Sequence, residues 1–307
     1  MMTMLPTSTS VPHLWRSNCA DTTMFANNSQ YETNLNDVYR SLTSNATNPT
    51  GYSQAISTNG SNETVYGHFL CRGDQSASSC RDCVDTATTS DLPLNSCPNR
   101  KVAIIWYEEC MVRYSNVSIF GRLPPESQML DPWDRFGSGN NITGNITRFM
   151  DAIGDMMSDV IIRASNGGPE KKYATRIFEY SSLQTMYGMG QCTPDLSASD
   201  CYRCLRTAIG FLEVATGARV MMTSCNLRYE IYPFFEGAVN FPPPSLPPSM
   251  SSPGGNRTLV VAIVVPLAVL ALLIASCMYY FRRKGKKYLS LDIEKGKHHP
   301  NIGLYLV

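Results

Sequence analysis

The sequence predicts an α+β protein: two tandem disulfide-stapled domains, at residues 15–120 and 130–236, followed by one transmembrane helix. Three observations carry this. A cysteine spacing occurs twice, each copy pairs helix-periodic runs with short apolar strands, and an uncharged apolar block of 23 residues lies near the C-terminus.

The duplication comes first. Cys71-x8-Cys80-x2-Cys83 recurs as Cys192-x8-Cys201-x2-Cys204, 121 residues further on. The filling matches too: Asp74-Gln-Ser-Ala-Ser-Ser-Cys80 stands against Asp195-Leu-Ser-Ala-Ser-Asp-Cys201, and Cys110-Met-Val-Arg-Tyr114 against Cys225-Asn-Leu-Arg-Tyr229. Within each copy, Tyr31, Leu35, Val38 and Leu42, and likewise Phe149, Ile153, Met157 and Ile161, fall at helical spacing, so each copy opens with an amphipathic helix. Val65 to Leu70 reads as a strand. Ser78 and Ser199 are candidate caps for a second helix that carries the CxxC pair. Strands then follow at Lys101–Tyr107 and Met111–Tyr114, and at Ala218–Met222 and Leu227–Tyr232. Residues 237–258 hold six prolines with Ser and Gly, a stalk that spans roughly 60–70 Å if extended at ~3.1 Å per residue.

Leu259 to Phe281 contains no charge and is long enough for a helix to cross a bilayer. Arg282, Arg283, Lys284, Lys286 and Lys287 follow at once, so the short tail, residues 282–307, is predicted cytoplasmic and the long N-terminal part exterior. The same basic run suits anionic lipid, although stop-transfer anchoring accounts for it equally. Ala271-x3-Ala275 is compatible with helix association and so with a homo- or hetero-oligomer. Cys277 is either a palmitoylation site near the inner leaflet or a small apolar filler. Residues 1–18 contain no apolar run of secretory-signal length, which favours a true start upstream of Met1. The 26 residues after the block leave no room for a kinase domain. Asn-X-Ser/Thr occurs at Asn27, Asn45, Asn59, Asn62, Asn116, Asn141, Asn145 and Asn256, all before the block, as expected of a glycan-bearing exterior.

Of eleven cysteines, ten lie in the exterior part, an even number that suits disulfides in an oxidising compartment. The second copy lacks counterparts of both Cys19 and Cys97, so these two are paired with each other. The four remaining in each copy allow three connectivities. A bond between Cys80 and Cys83 would close a tight redox-type ring that a staple does not need. Of the other two, the preferred one is Cys71–Cys80 with Cys83–Cys110, and Cys192–Cys201 with Cys204–Cys225. Each bond is worth about 2–4 kcal/mol. Zinc is the competing use of a CxxC pair, but the two pairs lie over a hundred residues apart among sequons; no metal and no cofactor is predicted.

A formal net charge of +1 gives no footprint for nucleic acid. The exterior histidines are only His13 and His68, and His68 reads as a partly buried strand residue. Glu108 and Glu109 would point to opposite faces of a strand and read as a solvated edge. With no G-x-S-x-G, H-E-x-x-H or Walker motif, the exterior is expected to bind rather than catalyse.

The doubled C-x8-C-x2-C module, the Gly-Ala-Arg-Val before Cys225 and the phrase CNLRYEIYPFF resemble the ginkbilobin-like, salt-stress-response/antifungal domain of plants. Two copies before a membrane helix are similar to cysteine-rich receptor-like kinases and plasmodesmata-located proteins. The resemblance implies two helices on an antiparallel sheet in each copy. It also implies recognition of a carbohydrate or a partner ectodomain in defence or cell-to-cell signalling, at the plasma membrane or plasmodesmata. Alternatives are a cysteine-rich receptor-like kinase recorded short of its kinase, and a mannose-binding antifungal lectin. Single-domain antifungal members bind mannose through an Asn, an Arg and a Glu. At those positions the first copy has Ala20, Ile104 and Ser115, whereas the second keeps Arg219 and Glu230, which can bind a sugar or pair with each other.

Overall fold

The computed structural model describes residues 11–19, 23–59, 63–124, 135–138, 142, 145–168 and 170–236. All lie in one compact unit, Met1–Asn240. The stalk, the apolar block with Cys277, and the sequons at Asn62, Asn141 and Asn256 lie outside the described residues. Among the described residues no helix is long and apolar enough to cross a membrane. The other five sequon asparagines (Asn27, Asn45, Asn59, Asn116 and Asn145) are exposed.

The first copy contains β1 (Leu14–Asn18), α1 (Gln30–Ser44), β2 (Tyr52–Ser57), β3 (Val65–Cys71), α2 (Ala77–Thr86), a π-helical segment (Ala87–Ser96), β4 (Ala103–Tyr107) and β5 (Cys110–Ser115). The second contains β6 (Arg135–Ser138), α3 (Ile146–Ser165), β7 (Lys172–Ser181), β8 (Gln184–Cys192), α4 (Ala198–Ile209), β9 (Gly217–Met221) and β10 (Cys225–Glu230). Each copy forms a five-stranded antiparallel sheet. The strand orders β1-β4-β5-β3-β2 and β6-β9-β10-β8-β7 are one topology used twice.

Amphipathic helices cover one face of each sheet. Tyr31, Leu35, Val38 and Leu42 of α1 are buried on Phe69, Ile105 and Val112, and Phe149, Ile153, Met157 and Ile161 of α3 on Met186, Val220 and Leu227. Helix and sheet approach closely where the strand carries glycine. A Cβ added at Gly67 would sit 2.5 Å from Val38 Cγ1, and one at its counterpart Gly188 would meet the Met156 and Met157 side chains at 3.0 Å.

The cap of the second helix in each copy lies two residues earlier than expected. Ser76 and Ser197, not Ser78 and Ser199, hold the extended cap conformation, and their Oγ atoms accept from Ser79 N (3.1 Å) and Asp200 N (3.0 Å). Both segments offer serines two residues apart, and only the one three residues before a free N–H can cap it. The sulfurs join as Cys19–Cys97, Cys71–Cys80, Cys83–Cys110, Cys192–Cys201 and Cys204–Cys225, with Cα atoms 5.6–6.1 Å apart. All four CxxC sulfurs are thereby in disulfides. The six residues by which the stretch from Cys83 to Cys110 exceeds that from Cys204 to Cys225 fall in the π-helical stretch, which Cys97 closes onto Cys19 beside β1.

Replacing Gly67 by Ala is expected to cost about 1–3 kcal/mol, because β-branched Val38 cannot swing aside. Gly188→Ala, facing flexible methionines, is expected to cost under about 1 kcal/mol. Denaturant melts of the two variants check the order, and Val38→Ala should relieve most of the Gly67→Ala loss.

Candidate functional site

The faces of the two sheets turned away from the helices meet each other. Ile104, Trp106, Met111 and Leu70, alternating with core residues along β3–β5, form an apolar cluster with Met221 of β9, and Trp15 and Tyr52 pack against it. A cavity of about 60 Å³ remains between them, lined by Trp15, Trp106, Glu108, Gln191, Arg219 and Arg228 among others.

The joint is reciprocal. Asp74 Oδ2 accepts the backbone N–H of Glu236 at 2.9 Å, and its counterpart Asp195 accepts that of Gly121 at 2.7 Å. Gly121 and Glu236 each lie eleven residues after the last cysteine of their copy, so each motif aspartate grips the other copy's tail. The aromatic supports repeat as well, with Tyr66 edge-on to Phe120 at 5.8 Å and Tyr187 edge-on to Phe235 at 6.0 Å. Arg113 and Arg228, equivalent in sequence, reach across to Thr223 O (3.5 Å) and Glu108 Oε1 (2.6 Å), also at equivalent positions. Gly73 leaves room for the Tyr173 ring, where an added Cβ would stand 2.2 Å from the ring.

The two halves differ in charge. One half gathers Arg72, Arg219 and Arg228 with Asp74, Glu108 and Glu230. Glu108 accepts from Trp15 Nε1 (2.9 Å), Arg228 Nη1 and Arg219 Nη1 (3.4 Å), and pairs with Arg72. Arg72 also forks onto Asp74 (2.6 and 2.8 Å). Burial by itself would raise the Glu108 and Asp74 carboxyls. The charges of Arg228, Arg72 and Arg219 hold Glu108 below the usual carboxylate range, and the Arg72 bonds do the same for Asp74. The other half carries little charge. Burial and the neighbouring Arg113 cation push His68 down to about 3, and burial lowers Arg113 to about 10.

The two sugar-site candidates therefore sit inside the joint. Glu230 is 1% exposed and accepts from Arg228 Nε (2.9 Å), with Arg219 Nη2 at 3.5 Å. The Arg219 guanidinium lies 3.4 Å from the Trp15 ring centroid. Ile104 and Ser115, their counterparts in the first copy, are both buried.

Two readings of the sequence are corrected. Glu108 is no solvated strand edge: it lies in the turn between β4 and β5, where neither alternation nor exposure applies, and a charge cluster surrounds it. His68 is fully rather than partly buried, because the second sheet covers the face that a lone sheet would leave wet. The sequence signal for the joint was the repeated aspartate three residues after the first motif cysteine, which was visible but had no partner until the sheets met.

A doubled, disulfide-stapled α+β module closed on itself defines a tandem cysteine-rich fold. The chain belongs to the salt stress response/antifungal family, which matches residues 18–117 and again residues 136–232. It is similar to cysteine-rich receptor-like protein kinase 25 of Arabidopsis thaliana, 41% identical over 254 residues covering 80% of this chain and 36% of that protein. Kinase 7 of the same plant is 36% identical, covering 88% of this chain and 41% of that protein, and putative kinase 9 is 35% identical, covering 79% and 91%. The chain thus spans well under half the length of the first curated relatives it matches. Among solved structures, the tandem DUF26 ectodomain of the Arabidopsis cysteine-rich receptor-like protein PDLP8 shares the fold, with a TM-score of 0.59 at 23% identity over 72% of this chain and 98% of that one. That of PDLP5 has a TM-score of 0.55 at 28% identity, covering 72% and 100%.

Because the folded-state pKa values of Glu108 and Asp74 are depressed, their contribution is complete above the unfolded carboxylate range. It is lost as pH falls through the lowered folded values. The melting temperature should hold from pH 7 to about 5 and drop below about pH 4. Glu108→Gln should cost on the order of 3 kcal/mol at pH 7 by leaving three buried arginines to share the two remaining carboxylates, Asp74 and Glu230, and should shrink the acid-side drop. Thermal melts across that pH range read both.

Proposed function

We propose that the tandem module is the exterior, ligand-recognising part of a single-pass receptor-like membrane protein at the plasma membrane, plasmodesmata included. It recognises a carbohydrate or a partner ectodomain in plant defence or cell-to-cell signalling, and it is not an enzyme. The observation that carries this reading is the joint. The carboxylates and arginines with displaced proton affinities are spent on welding the copies together, and buried His68 stays neutral, which favours a rigid recognition surface over acid–base chemistry. The kinship with receptor-like kinases and receptor-like proteins supports the membrane setting, as do the uncharged block at residues 259–281, the basic run after it and the exposed sequons before it.

A second reading, the exterior half of a receptor-like serine/threonine kinase, is favoured by the chain's 36–41% coverage of kinases 25 and 7. Sequencing the transcript downstream separates the two: a continuing frame with V-A-I-K and H-R-D motifs establishes the kinase.

In plant cells the full chain should run as a ladder of glycoforms that collapses when N-glycans are removed enzymatically. The same chain probed intact on cells should be reached by an antibody to its N-terminal part and not by one to its tail. An unmodified chain, or the reverse accessibility, defeats the exterior assignment.

A further inference from the structure

A groove of about 810 Å³ opens on the lightly charged side of the joint. Tyr52, Gln54 and Gly121 of the first copy form one wall, and Lys172, Asp195 and Ser197 of the second form the other, with Pro194 and Leu196 beside them. The volume is that of a small-ligand site (~300–1,000 Å³).

Two of its polar groups are left over after the joint is made. Asp195 Oδ2 is committed, accepting from Gly121 N at 2.7 Å and Gln54 Nε2 at 3.1 Å. Asp195 Oδ1 is buried and, among the described residues, accepts nothing. A buried carboxylate oxygen without a donor is costly, so this position favours a hydroxyl brought by a ligand. Lys172 is only 5% exposed, yet among the described residues its ammonium has no hydrogen-bonding or ion-pair partner. Its counterpart in the first copy is Gly51, so the cation belongs to this groove alone. Tyr52 borders the opening, and burial together with the Asp195 charge raises its phenol, which keeps the hydroxyl protonated. Its ring, Pro194 and Leu196 supply an apolar floor.

A single ligand that answers all of this carries hydroxyl donors, an anionic group and C–H faces on one small ring. We infer that the groove binds an acidic oligosaccharide, a chain of uronic-acid rings. Lys172 pairs with a sugar carboxylate, Asp195 Oδ1 accepts a ring hydroxyl, and one ring lies against Tyr52. This rests on the carbohydrate branch of the proposed function and names its ligand class. A free acidic peptide offers the charge but lacks a hydroxyl and an apolar face on the same ring.

The test is calorimetry on the full chain in detergent micelles. The probes are trigalacturonate, its uncharged methyl ester, mannotriose and hexaglutamate. Trigalacturonate is expected to bind, and to weaken about tenfold or more on methyl esterification and in Lys172→Gln, with Lys172→Arg restoring it. The ester comparison uses unaltered protein, so it stands even if a variant misfolds. Equal affinity for acid and ester, binding untouched by Lys172→Gln, or hexaglutamate bound as well as trigalacturonate each overturns the site. Mannotriose bound without trigalacturonate overturns it while leaving carbohydrate recognition intact. Binding of neither sugar overturns the site and the carbohydrate branch together.

Discussion

One carboxylate, Glu108, governs how the two copies are joined. It sits at the tip of the β4–β5 turn with Arg72 from its own copy and Arg219 and Arg228 from the other. Removing this many charges from water is costly, and the arrangement is tolerable only because it is balanced. Three guanidiniums face three carboxylates (Asp74, Glu108 and Glu230), and Asp74 Oδ2 and both Glu108 oxygens each accept two donors. Two arginines also lie over aromatic rings, Arg219 on Trp15 and Arg228 on Phe234 at 4.0 Å, so that they meet an electron-rich face where water is excluded. The cluster sets the register of the copies; the apolar patch around Trp106 and Met221 supplies the non-directional attraction.

Duplication explains the plan of this joint and divergence explains its polarity. Two copies of one sheet, packed outer face to outer face, present equivalent residues to each other, hence the paired aspartate clasps and the paired tyrosine–phenylalanine edges. Four substitutions between the copies then separate the halves. Arg72, Glu108, Arg219 and Glu230 stand where their counterparts are Thr193, Thr223, Ile104 and Ser115, and all four charges fall on one side. On the opposite side His68 replaces Met189 and is left neutral beside Arg113. The side rich in charge is saturated. The side poor in charge keeps an open groove with groups to spare, which is why a ligand site is placed there.

The arginine and glutamate that could have held a sugar illustrate the same point. Arg219 and Glu230 have the chemistry for hydroxyl recognition, but Trp15 and Glu108 of the neighbouring copy now occupy the space in front of them. In this tandem pair both side chains are taken up by the joint.

Much was settled by sequence alone, because it is encoded locally or by counting. Cysteine spacing is a one-dimensional signal that reveals the repeat. Helices with one apolar face, such as Tyr31 to Leu42 and Phe149 to Ile161, declare themselves by period, and so do compact apolar strands such as Ala103–Tyr107. The short or mixed strands Leu14–Asn18, Tyr52–Ser57 and Lys172–Ser181 did not, since they are edge strands or lie between two covered faces, and an alternating pattern needs one wet side. Tertiary structure alone decided that the outer faces would meet, and with that the fates of Glu108, His68, Arg219 and Lys172. The reason is physical: a charge acquires its meaning from the atoms around it, and here those atoms lie more than a hundred residues away for each arginine that crosses the joint.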